Sequence, residues 1–146
     1  MEQNIHCAQF LNAVYQNAKM GIDSLNTVIP MVNDSALAAD LQTQLDNYNS
    51  TASAAAVKLN ENQLAVKDNS AMSKVGLWAS IKMNMLTDTS SSHIAESVIQ
   101  GSNMGIIDMT KNLNRYPDLP DDVTSIGSQL VENEHNHIQR LKAYLK

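Results

Sequence analysis

The run DDVTSIGSQLVENEHNHIQRLKAYLK, residues 121–146, decides the reading of the chain. Within it Val123, Gly127, Leu130, Glu134, His137, Leu141 and Tyr144 recur in an unbroken four-three alternation. That is the spacing of one face of an α-helix. Two of the seven positions are polar. At about 100° per residue, Glu134 and His137 fall within about 40° of Leu130, so both share the apolar stripe and point inward. Glu132 and His135 repeat the same spacing two residues earlier and belong to the opposite, solvent side. Burying a carboxylate beside an imidazole is costly unless something pairs with them. The inward pair is therefore the sharpest functional signal in the sequence.

Working back along the chain, the same helical period recurs. Leu11, Val14, Ala18, Ile22, Leu25 and Ile29 mark a helix that ends near Pro30. A second begins after Asn33-Asp34-Ser35, residues that cap helix N-termini well, and carries Leu37, Leu41, Leu45, Tyr48, Ala52, Ala55 and Leu59. The short link makes the two antiparallel neighbours. Residues 60–70 are polar and read as a loop. A shorter helix is expected over Ala71–Leu86, with Met72, Val75, Ala79, Met83 and Leu86 in register. The run 87–92, TDTSSS, interrupts it and supplies caps for a further helix bearing Ala95, Ile99, Ser102, Ile106, Met109 and Leu113. Tyr116-Pro117-Asp118-Leu119-Pro120 ends that helix, and Asp121-Asp122 opens the last with acids suited to an N-terminus.

Composition narrows the classes further. The chain has 146 residues, enough for one domain spanning 1–146 that buries a core without disulfides. Hydrophobic residues make up 43% and aromatics only 4%, so the core is built of Leu, Ile, Val, Ala and Met, which suits helix packing. A formal charge of −5 argues against nucleic acid or an anionic membrane as partner. Cys7 stands alone and reads as a small buried apolar residue. His6, beside it, sits close to the terminus and is given no role. No basic-then-apolar leader opens the sequence and no stretch is long and apolar enough to span a bilayer. The expected compartment is the cytoplasm.

The fold these pieces imply is all-α: a four-helix bundle of two antiparallel hairpins joined by a long crossover that contains a shorter helix. One long crossover between hairpins is the ferritin-like arrangement. In its last helix, and in Asn17-Ala18-Lys19-Met20-Gly21-Ile22-Asp23-Ser24 and Ser92-His93-Ile94-Ala95-Glu96-Ser97-Val98-Ile99-Gln100-Gly101-Ser102, the chain resembles the ferritin-like superfamily. It is most similar to small rubrerythrin-like bacterial members and to a group from anaerobic Firmicutes. The dinuclear members draw one Glu from each of two helices and a Glu-x-x-His from each of the other two. Set on this chain, that pattern is met by Glu134 and His137, with Glu96 at the edge of its helix as a third ligand. It is missed by Gln44 and Asn47, which stand where Glu-x-x-His is needed, and by the first helix, whose Asp23 lies roughly 140° from Ala18.

The resemblance thus implies a degenerate bundle with a structural or interaction role and no cofactor. A polar seam of Glu134, His137, Gln44, Tyr48 and Tyr15 would satisfy its own hydrogen bonds. The alternative is a metal-binding protein, an iron oxidoreductase or metal store, that holds iron or zinc on Glu134, His137 and Glu96. His93-x-x-Glu96 has ligand spacing but faces solvent. Gly101-x-x-x-Gly105 admits a bulky neighbour such as Trp78. The methionines 83, 85, 104 and 109 read first as core filling, with an adaptable or oxidisable surface as the alternative, and exposed apolar parts around Trp78 would suit a homodimer. No nucleophile-base set, phosphate loop or basic stripe is present.

Overall fold

The computed structural model describes residues 2–67 and 88–146. Among them are four long helices and no strand: α1 (Glu2–Val28), α2 (Ser35–Glu61), α3 (Ser91–Arg115) and α4 (Asp121–Leu141), with short 3-10 turns at Ile29–Met31 and Lys142–Tyr144. The boundaries follow from local chemistry. Asp34 caps α2, its Oδ1 accepting from the amides of Ala36 at 2.9 Å and Leu37 at 3.2 Å. Ser90 caps α3 by accepting from the His93 amide at 3.2 Å. Both satisfy amides that a helix start leaves without partners. Pro120, which has no amide hydrogen, precedes α4, and Asp121 and Asp122 occupy its first turn.

α2 ends in a Schellman turn. Gln63 adopts a left-handed φ of 59°, and the Leu64 amide donates back to the Leu59 carbonyl at 2.8 Å. This turn sends the chain back along α1. Asn12 brackets the returning strand of backbone, donating to the Ala65 carbonyl at 3.1 Å and accepting from the Lys67 amide at 2.7 Å. Gln16 donates to the Lys67 carbonyl one turn further on, at 2.8 Å.

Cross-helix contacts fix the directions. Ser91 donates to Asp34 at 3.4 Å, so α2 and α3 start at the same end. Tyr144 donates to Asp40 at 2.7 Å and Lys58 pairs with Asp122 at 3.2 Å, so α4 runs antiparallel to α2. Tyr116 donates to Gln9 at 2.8 Å, which places the end of α3 beside the start of α1. α1 and α4 therefore run one way, α2 and α3 the other. α1 packs on α2 and α3, and α4 packs on α3 and α2. The segment joining α2 to α3 leaves at Lys67 and returns at Asp88, at the opposite end of the bundle. The expected short helix over Ala71–Leu86, with Trp78 and the pairing surface around it, lies outside the described residues.

The core is continuous from end to end. Phe10, Leu11, Leu25, Leu37, Leu41, Leu59, Ile94, Met109, Leu130 and Leu141 are all under 2% exposed. Apolar area removed from water at about 25 cal/mol per Å² is the main force holding the four helices together. The periodic stripes read from the sequence are mostly the buried ones, and on α4 the match is complete from Val123 to Leu141. On α3 the stripe turns slightly: Ile94, Ala95, Val98, Ser102 and Met109 are buried, while Ile99, Ile106 and Leu113 are only half-buried. The first helix also starts earlier than its apolar pattern suggests. His6 and Cys7 lie within α1, where Cys7 is 6% exposed and His6 contacts Asp118 at 3.3 Å. No helix among the described residues is long and apolar enough to cross a membrane.

Candidate functional site

Half-way along the bundle the core turns polar. Gln44 and Tyr48 from α2, Ser102 from α3, Glu134 from α4 and Asn17 from α1 are all buried there. Gln44 and Tyr48 are one helical turn apart on the inward stripe of α2, which is why both reach the centre. The Tyr48 hydroxyl donates to Glu134, lying 2.7 Å from Oε1 and 2.8 Å from Oε2. The Gln44 amide nitrogen donates to the Tyr48 hydroxyl at 3.1 Å and to Ser102 Oγ at 3.0 Å. Gln44 Oε1 is buried with no hydrogen-bond partner. An orphaned buried acceptor is uncommon in folded proteins.

Tyr48 can lie this deep only because α1 presents Gly21 to it. A Cβ at position 21 would collide with ring carbons Cδ2, Cε2 and Cζ. Burial sets the protonation of the layer. Glu134 is raised from the usual carboxylate range to about 7 because its charge is taken out of water, with the Tyr48 and Gln44 hydrogen bonds pulling the other way. Tyr48 is pushed well above the ordinary phenol range, first by burial and then by the Glu134 charge it faces.

His137 belongs to a different partnership. Asn47 Nδ2 lies 3.0 Å from His137 Nε2. An amide N–H can only donate, so Nε2 accepts and the ring proton sits on Nδ1. Burial, followed by the positive charge of Arg140, holds the imidazole below its usual value and so neutral. Glu134 and His137 thus share a helix face but are held by separate side chains. Tyr15, expected in the same seam, is half-buried and packs against the apolar core.

Glu96, the third candidate ligand, is exposed on the outer side of α3. The structure does not bring it to Glu134 and His137, because the stripe of α3 centres on Ala95, Val98 and Ser102. Among the described residues no three of His, Cys, Asp and Glu come together in a way that could hold a metal ion. Glu132 and His135 face solvent as their spacing implies, and Asp23 is exposed.

Between α1 and α3 the polar layer opens into a cavity of about 230 Å³. Met20, Gly21, Gly101, Met104, Gly105 and Ile107 line its sides among the described residues, together with the charged Asp108 and Lys111, and Asn17, Tyr48 and Glu134 reach its inner end. Asn17 Nδ2 donates to the Gly105 carbonyl at 3.2 Å and to Asp108 Oδ2 at 3.4 Å. A Cβ on Gly105 would lie 3.1 Å from both Asn17 Oδ1 and Glu134 Oε2. The two oxygens therefore flank one space above Gly105. Sequence reasoning assigned no role to Asn17, Gly21 or Ser102. The available signals were the place of Ser102 on the periodic stripe of α3 and the recurrence of Asn17 and Gly21 one turn apart on the inward side of α1.

Over the described residues these features define an all-helical molecule of four long helices with a buried polar layer and an adjoining cavity. Compared with protein-family models, with curated proteins and with solved structures, the chain finds no match.

Proposed function

We propose that the chain is a ferritin-like bundle whose centre has become a hydrogen-bonded layer, and that it serves as a structural or interaction module. The running directions of the helices support the kinship, since two hairpins and one end-to-end connection are what the ferritin-like arrangement requires. The observation that carries the functional reading is the Tyr48 hydroxyl placed across both oxygens of Glu134, with Gln44 behind it.

A pair of iron or manganese ions needs several carboxylates to balance its charge and bridge it. The side chains that face one another here do not fit that group. α1 contributes Asn17, α2 contributes Gln44, Asn47 and Tyr48, and α3 contributes Ser102. Neutral amides and hydroxyls offer no charge balance, and among the described residues the one buried carboxylate of the layer, Glu134, is engaged by a phenol. Such a layer orders a core and fixes the register of its helices.

The test is elemental analysis of protein purified without a histidine tag, after incubation with Fe(II), Mn(II) or Zn(II). Less than one equivalent of metal per chain, with no ferroxidase turnover and an unchanged melting temperature, is the expected result. Two tightly held ions per chain, lost in Glu134→Ala, would replace this reading with that of a metal-binding enzyme or store.

A further inference from the structure

We propose that the cavity between α1 and α3 binds a small primary amine with an apolar body, its ammonium group held by Glu134 and Asn17 above Gly105. The site stands on its own geometry and does not rest on kinship with the ferritin-like proteins.

The inner end of the cavity offers hydrogen-bond acceptors and no free donor from the residues that flank Gly105. Tyr48 brings a single hydroxyl proton to Glu134. Gln44 also stands close enough to draw the carboxylate's titration down, but a carboxylate has room for about four donors, so it can still accept an ammonium. Asn17 has both amide bonds directed to α3, at the Gly105 carbonyl and Asp108 Oδ2. That fixes the amide with its Oδ1 turned to the space above Gly105, where Glu134 Oε2 also points. An ammonium carries three donors and no acceptor, and a positive charge opposite the buried carboxylate. Above Gly105 a carboxylate or phosphate guest would meet only acceptor oxygens, one of them on the Glu134 carboxylate.

The outer part of the cavity selects the rest of the guest. Met20 and Met104 present flexible thioethers that mould to an apolar body, and Ile107 at the rim is 56% exposed. Gly101 and Gly105 keep the α3 wall flat. A cavity of about 150 Å³ takes benzene, so 230 Å³ has room for one ring and a short aminomethyl arm.

The experiment titrates the full chain with benzylamine, benzyl alcohol and benzoate, followed by calorimetry and by the amide resonances of Gly101 and Gly105. Benzylamine should bind saturably and at least tenfold more tightly than benzyl alcohol, with benzoate not binding. Glu134→Gln should bring benzylamine down to the level of the alcohol. Gly105→Ala, which places a methyl group between the two oxygens while favouring helix, should abolish benzylamine binding and leave the helical circular dichroism intact. Benzylamine that binds no better than benzyl alcohol, no saturable binding at all, or undiminished binding by Gly105→Ala would each overturn the proposal. The comparison of the three ligands on the parent chain decides the matter even if Glu134→Gln fails to fold.

Discussion

Near the start of α1, Gly127 of α4 lets the Phe10 ring lie against a neighbouring helix, where a Cβ would come within 2.7 Å of ring carbon Cζ. Half-way along the bundle Gly21 of α1 does the same for the Tyr48 ring. The surroundings of the two rings differ. Phe10 meets Met109, and Tyr116 at a centroid distance of 6.3 Å and an edge-on angle of 86°. Nothing on its ring needs a partner. Tyr48 ends in a hydroxyl, and that hydroxyl draws in Gln44, Ser102 and Glu134. The apolar layer is held by area and packing alone, so its stability scales with the volume that fills it. The polar layer is held by the completeness of its hydrogen bonds, and one of its acceptors, Gln44 Oε1, has no partner.

The comparison breaks most visibly in the apolar layer. Phe10 is fully buried. Phe10→Ala should cost about 3–5 kcal/mol, the usual range for emptying an aromatic site in a core. Urea unfolding reads this as a lower midpoint at unchanged slope. A loss under about 2 kcal/mol would mean that the helices close over Gly127 and that this layer is not close-packed.

The polar layer responds to pH where the apolar layer does not. Glu134 titrates near 7 in the folded chain against 4.5 for the free side chain. Its protonated form is the one the fold favours, so its contribution is fully present below pH 4.5 and is lost as pH rises through 7. At 1.36 kcal/mol per unit this amounts to about 3 kcal/mol. The parent should lose stability from pH 4.5 to 7 relative to Glu134→Gln, with the difference between the two chains cancelling other titrations. Parallel stability curves for the two chains over that window would show that the carboxylate is solvated and the layer open to water.

Much of this architecture was legible in the sequence, and the reason it was legible also marks where legibility stopped. Helical period places a residue on a face, and that sufficed for the whole inward stripe of α4, for outward Glu132, His135 and Asp23, and for inward Gln44 and Tyr48. Caps at Asp34 and Ser90 were readable because the side chain acts on its own helix. Partnerships across helices were not. His137 was grouped with Glu134 because both lie on one stripe, yet it bonds Asn47, and Glu134 bonds Tyr48. Which side chain meets which depends on the axial offset and rotation of neighbouring helices, and these are set by packing that no single stripe contains. The same holds for Glu96, where a small rotation of α3 puts it in water, and for Gly21, whose role exists only because Tyr48 leans on it.

The glycine that admits Tyr48 gives a smaller effect. Gly21→Ala gains about 1 kcal/mol of helix propensity, but its methyl would overlap a ring that cannot retreat without breaking its hydrogen bond to Glu134. Overpacking of this kind costs about 1–3 kcal/mol. The net result should be a destabilised chain, and Tyr48→Leu in the same molecule should remove the penalty of the alanine. Additive effects of the two substitutions would place the ring clear of position 21.

The smallest effect should come from Gln44, and it sharpens the contrast between the layers most. Gln44→Met keeps the length and rough volume of the side chain while turning the position apolar. It removes the unpaired Oε1, whose burial costs free energy without return. It also removes two donated hydrogen bonds. Neither loss leaves a donor stranded: the Tyr48 hydroxyl still donates to Glu134, and the Ser102 hydroxyl can turn to a carbonyl of its own helix. Acceptors that lose one of several donors suffer less than donors left alone. Gain and loss should therefore nearly cancel, and the melting temperature should stay within about 4 °C of the parent, equivalent to roughly 1 kcal/mol in a chain of this size. The same substitution removes a group that draws Glu134 downward, so the titration of Glu134 should move up and the pH-dependent loss should extend to higher pH. A melting temperature lower by 8 °C or more would show instead that the amide is a required member of the layer, its Oε1 paired in solution with a water, and that the polar layer is as tightly determined as the apolar one.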